Sequence, residues 1–177
     1  MDPMQKILAA FDSSETGFAV FREALDLARA TGARLLLMHV LSNDEEGSPS
    51  LPITFASQLY PSLDDEPLKQ YLEHWKAFER RGLELLNERQ VQAEAQGVTV
   101  ETHQASGNPG RKICDLARAQ QVDLIVLGRR GRSTLSEVLL GSVSHYVLHH
   151  APCSVYVVHR KARARAAAAE TLQNATN

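Results

Sequence analysis

Short, largely apolar runs punctuate the chain: Ile7-Leu-Ala-Ala-Phe11, Leu35-Leu-Leu-Met-His-Val-Leu41, Val122 to Leu127, and Ser154 to Val158. The first two show no polar–apolar alternation, so they read as strands covered on both faces. The stretches between the runs keep helical spacing. Val20, Ala24, Leu27 and Ala28 share one face of a helix that Thr31-Gly32 should end. A long helix from about Leu68 into the 90s places Tyr71, Leu72, Trp75, Phe78, Leu85 and Leu86 inward as core residues, and Gly97 stops it. The Gly107-Asn-Pro-Gly110 turn opens a helix with Ile113, Leu116 and Ala117 inside. Gly141 to His150 is a short helix ended before Pro152. Val98 to His103 supplies a more polar strand, nearer an edge. Strands alternating with helices call for a parallel sheet with right-handed crossovers. The expected fold is α/β: one domain, an open five-stranded parallel sheet with helices on both faces, Rossmann-like. Ligands of such sheets bind beyond the carboxyl ends of the strands, where the strand order reverses. Asp12, Val40 and Gly128 lie at the ends of strands one, two and four, and those ends are expected to meet.

The 177 residues suffice for one domain with a real core, expected over 1–160. An Ala- and Arg-rich tail follows at 161–177. The 42–67 stretch, rich in Asp, Glu, Pro, Ser and Gly, exceeds an ordinary α/β connection and is expected to be a lid or a mobile segment. A formal charge of -2 argues against a general nucleic-acid binder. No apolar stretch approaches the roughly 20 residues of a membrane helix, and the N-terminus has no signal-peptide profile. Cys114 and Cys153 have no metal-ligand spacing; they could pair, but buried thiols in a reducing cytoplasm fit better. The expectation is a cytoplasmic protein without nucleic-acid or membrane partners.

The chemistry concentrates in Gly128-Arg-Arg-Gly131-Arg-Ser-Thr-Leu-Ser-Glu-Val-Leu-Leu-Gly141-Ser142, directly after a strand. Glycine lets the backbone turn tightly and bring its amides close to an anion. The helix opening after Gly141 adds unpaired amides and the positive end of its dipole. Arg129, Arg130 and Arg132 add positive side chains. A nucleotide phosphate suits this arrangement. There is no Gly-x4-Gly-Lys-Ser/Thr loop, no Gly-x-Ser-x-Gly nucleophile turn and no zinc set, so efficient phosphoryl transfer is not expected.

The chain resembles the nucleotide-binding universal stress proteins. The resemblance rests on Gly128-x2-Gly131-x9-Gly141-Ser142 and on Lys6-Ile-Leu-Ala-Ala-Phe-Asp12-Ser-Ser, Leu37-Met-His-Val40, Asp123-Leu-Ile-Val-Leu-Gly128 and Ala151-Pro-Cys-Ser-Val-Tyr-Val-Val158. It covers roughly residues 4 to 159. It implies a sheet of the adenine nucleotide alpha hydrolase-like kind, binding of ATP (or ADP or AMP), and a homodimer through the last strand, Ser154 to Val158. By position, Asp12 would face the ribose and Val40 would offer backbone contacts and an apolar wall to adenine. Gly128 and Gly131 would contact ribose and phosphate, with Gly141, Ser142, Val143 and Ser144 holding phosphates from the helix start. Ala10, Ser13, Leu127, Arg129 and Arg132 complete the expected contact set. Magnesium could accompany the phosphates.

Plainer roles compete for some of these residues. Asp12-Ser-Ser-Glu15 has capping-box spacing, so Asp12 could be a helix N-cap. Ser142 and Ser144 could cap the last helix. His39 reads as a hydrogen-bonded interior residue, and His149 and His150 as a helix end rather than metal ligands. The implied function is nucleotide-dependent regulation or stress response, with occupancy ordering 42–67 or the loop after Gly128. The alternatives are a weak ATPase or nucleotidyl-transfer enzyme, with Glu137 as the nearest carboxylate to position water, and a dimeric scaffold stabilised by its nucleotide.

Overall fold

The computed structural model describes residues 4–43, 45, 47–49, 66–129 and 140–159. Five strands alternate with four helices: β1 (Lys6–Ala10), α1 (Glu15–Thr31), β2 (Arg34–Leu41), α2 (Glu66–Glu94), β3 (Val100–Ser106), α3 (Pro109–Ala119), β4 (Leu124–Gly128), α4 (Ser142–His150) and β5 (Ser154–Val158). The strands form one sheet in the order β3-β2-β1-β4-β5, and every pairing is parallel. The chain first builds outward from β1 to β3, then returns past β1 to add β4 and β5. A constant crossover hand requires the helices to change faces at that reversal. They do: α1 and α2 pack over Ile7, Ala9, Leu35, Leu37, Leu124 and Val126, while α3 and α4 pack over Leu8, Ala10, Leu36, Met38, Ile125 and Leu127.

The strand period of two sends alternate residues into two separate apolar layers. That is why the strand runs carry no polar alternation. Ile7, Leu8, Ala9, Leu37, Ile125 and Val126 are wholly buried. Each large aliphatic side chain among them contributes about 1.5–3 kcal/mol of hydrophobic stabilisation. Asp123, just before β4, accepts from the amides of Gln5 and Lys6 at 2.8 and 2.9 Å, fixing where β1 begins.

Several boundaries and faces differ from expectation. Helix α1 also buries Phe21 and Leu25, whereas Leu27 is only partly covered. Strand β3 runs from Val100 to Ser106 because it follows β2 in register as far as Leu41 opposite Ser106. In α2, Phe78 and Leu86 are buried, but Leu72 is 46% exposed and Trp75 only half-buried. The cause is length. Twenty-nine residues of helix span about 43 Å, whereas the eight residues of β2 cover about 26 Å, so the first turns of α2 run past the sheet. There Tyr71, Trp75 and Phe78 pack on one another, with centroids 6.3 and 5.8 Å apart.

Cys114 is buried, Cys153 half-buried, and both are free thiols. Burial raises both pKa values above the ordinary thiol value; Asp123 and Cys114 push Cys153 further in the same direction. The folded state therefore holds these protons longer than the unfolded chain. Their contribution to stability is complete below the unfolded thiol pKa and is lost as pH rises through the folded values. Alkylation by iodoacetamide at about pH 8.5, near the free thiol pKa, is expected to be slower in the native protein than in urea. Equal rates, followed by mass spectrometry, would contradict this burial.

Candidate functional site

The strand order reverses between β1 and β4, and a cavity of about 610 Å³ opens over the carboxyl ends of β1, β2 and β4. Its apolar wall includes Ala10, Met38, Val40, Ile113, Leu127 and Val143, and its polar side includes Asp12, Ser13, Ser42 and Glu45. Volume and lining suit a small ligand with one flat apolar part and one polar part.

The polar side is set by how α1 begins. The N-cap is Ser14, whose Oγ accepts from the Gly17 amide at 3.1 Å. Asp12 is thus not the cap that its spacing with Glu15 suggests. Its Oδ1 instead accepts from the amide and hydroxyl of Ser14, the former at 3.1 Å, which orients the carboxylate one step ahead of the helix. The close packing of Asp12 on α1 depends on a glycine. A side chain at Gly17 would fall on the Asp12 carbonyl oxygen and 2.7 Å from Oδ1. Gly128 permits a second close approach, because a Cβ there would stand 2.5 Å from Thr16 Cγ2. Two absent side chains bring the first turn of α1 against the ends of β1 and β4.

The far side of the site is the start of α4. Gly141 is its N-cap, with no side-chain capping bond, and Ser144 Oγ donates back to the Gly141 carbonyl at 3.0 Å. Neither Ser142 nor Ser144 caps this helix. Among the described residues no side chain caps its first-turn amides, which carry the positive end of the dipole.

Of the residues singled out by sequence, Ala10, Asp12, Ser13, Val40, Leu127, Gly128 and Val143 come together in the cavity wall. Gly141, Ser142 and Ser144 stand beside Val143 in and just before the first turn of α4. Arg129 lies outside the wall: its Nη1 donates to His159 Nε2 at 2.8 Å and its amide to the Val158 carbonyl. Arg130, Gly131, Arg132 and Glu137 lie outside the described residues, as do most of 42–67 and the tail from 160. Sequence reasoning missed Gly17, Thr16, Ile113 and Glu45. Pro109 and Ile113 were within reach, because the turn that opens α3 was visible. Gly17 and Glu45 had no such signal. His39 is buried as expected, with Nε2 2.7 Å from Glu45 Oε1. No group of three or more His, Cys, Asp and Glu side chains among the described residues could hold a metal ion.

The model of the Universal stress protein family matches residues 3–159. The chain belongs to this family. Two universal stress proteins of Synechocystis are similar to it: Sll1388, 35% identical over 86% of this chain and 96% of that protein, and Slr1101, 43% identical over 57% of this chain and 94% of that protein. Among solved structures, universal stress protein UspA from Lactobacillus plantarum superposes with a TM-score of 0.69 at 27% identity, covering 90% of this chain and all of that one. More distant universal stress proteins with the same fold were solved with cAMP, with dAMP (Archaeoglobus fulgidus) and with AMP (Arabidopsis thaliana), at 21–22% identity and TM-scores of 0.52–0.58.

For this universal stress protein, Gly17→Ala is expected to lower stability by about 1–3 kcal/mol through overpacking, against the ~1 kcal/mol that alanine ordinarily gains in a helix. Urea unfolding checks the sign: a rise in midpoint would mean that α1 does not need its close approach to Asp12.

Proposed function

We propose that the cavity binds an adenine nucleotide and that its occupancy makes the protein a nucleotide-dependent regulatory or stress-response factor. One observation carries the reading. A single cavity at the strand-order reversal joins an apolar slot, an oriented carboxylate and a helix start without a side-chain cap. Adenine is flat and apolar on its faces, and Val40, Met38 and Ile113 suit it. A carboxylate accepts only, so Asp12 suits ribose hydroxyls. The amides opening α4 suit phosphate, which needs donors and positive potential. The nucleotides in the distant relatives, AMP, dAMP and cAMP, share these three parts. Gly128 and Gly131 are assigned to ribose and phosphate, and Gly141, Ser142, Val143 and Ser144 to the phosphates. A magnesium ion would travel with the phosphates, with water filling most of its shell.

The place of β5 at the outer edge of the described sheet supports a second element of the proposal, a homodimer through Ser154–Val158. Among the described residues β5 pairs only with β4, and Tyr156 is 40% exposed on it. An apolar strand with one unpaired edge is a template for another strand. Tyr156→Lys is expected to shift the particle from dimer to monomer mass in light scattering; a monomeric wild type would refute the dimer.

Mass spectrometry of the small molecule released by heating the purified protein tests the main reading, with an adenine nucleotide expected. In titration calorimetry Asp12→Ala is expected to weaken AMP binding about tenfold or more, the loss of one charge-assisted hydrogen bond. Unchanged affinity would remove Asp12 from the site, and wild-type protein that binds no adenine nucleotide would overturn the proposal.

A further inference from the structure

Glu45 is an acidic residue in the connection after β2, yet its side chain is only 5% exposed and that of His39 only 3%. Carboxylates in connections normally face water. This one meets His39 Nε2 at 2.7 Å, while its Oε2 and the His39 Nδ1 are buried with no hydrogen-bond partner among the described residues. Toward a carboxylate oxygen the imidazole Nε2 is the natural donor. The imidazole cannot retreat toward α2, because a Cβ at Gly82 would already sit 2.5 Å from Nδ1. Around Glu45 the backbone closes two turns, with its amide donating to the Ser42 carbonyl and the Ser48 amide to its own, both at 3.1 Å. Ser42, Glu45 and Gly47 all line the cavity. From α2, Arg81 Nη2 donates to the Gly47 carbonyl only at the long distance of 3.4 Å.

We infer that the buried His39–Glu45 pair pins Ser42, Glu45 and Gly47 in place as one wall of the cavity, making His39 a positioning residue for the ligand. A buried pair with unpartnered atoms is a poor source of stability, because desolvation offsets most of the attraction. Its effect is on geometry. His39 stands on a central, rigid strand and Glu45 on a connection, so loss of the donor sends the carboxylate toward water and takes the wall with it. The sheet stays. The identity of the ligand rests on the adenine-nucleotide reading; the pin itself does not.

Hydrogen exchange and AMP titration on the full chain test this together. His39→Leu removes the donor, and exchange at the Glu45 and Ser48 amides is expected to rise about tenfold or more while β1 and β4 amides keep their protection. AMP affinity is expected to fall about tenfold, with no further loss in the His39→Leu/Glu45→Ala double variant, since both changes break one contact. His39→Gln, whose amide replaces the Nε2 donor, is expected to restore most of both. Should His39→Leu fail to fold, Glu45→Ala, placed outside the sheet, is expected to show the same release at Ser48. Unchanged exchange around Ser48, or a rise spread equally over β1 and β4, overturns the pin. Wild-type protein that binds no AMP counts against the nucleotide reading alone, because exchange judges the pin without a ligand.

Discussion

The site exists because the sheet grows in two directions from β1. A fixed crossover hand places α1 and α2 on one face and α3 and α4 on the other. At the seam between β1 and β4 the two pairs of helices part to opposite faces, and a crevice lies over the strand ends. The chemistry gathered there, an apolar slot beside Asp12 and the start of α4, comes from segments far apart in sequence. What unites them is the topology, and the backbone sets their spacing to within a few ångströms.

Around that seam the side chains divide into walls and supports. Val40, Leu127 and Val143 end strands or begin a helix, so their positions are rigid consequences of the fold. Ser14 orients Asp12 through its amide and hydroxyl, and His39 secures Glu45 through one short contact. Polar groups near the seam thus hold other polar groups in place. Their energetic contribution to folding is small beside that of the apolar layers. They decide where acceptors point.

The architecture was legible because its signals are local and repeated. Unbroken apolar strands such as Leu35–Leu41 point to a sheet covered on both faces, and their alternation with helices points to parallel pairing. The position of β3 at an edge followed from its polar residues. Contacts across the fold were not legible. The capping spacing of Asp12 with Glu15 points to a cap at Asp12, but the helix begins at Glu15 with Ser14 as its cap. The stripe on α2 is periodic along its length, yet no pattern in it reveals that the sheet ends before the helix does. Glu45 looks like any acidic residue in a polar connection until His39 is found beneath it.

Gly17 and Gly128 act through what they lack. A locus organised in this way tolerates mutation unevenly. Trimming a neighbouring side chain leaves the close approach of α1 intact, whereas one added methyl at either glycine collides with backbone or with Thr16. Divergence among descendants of such a chain should therefore be freest toward smaller residues around the crevice and most restricted at these two featureless positions.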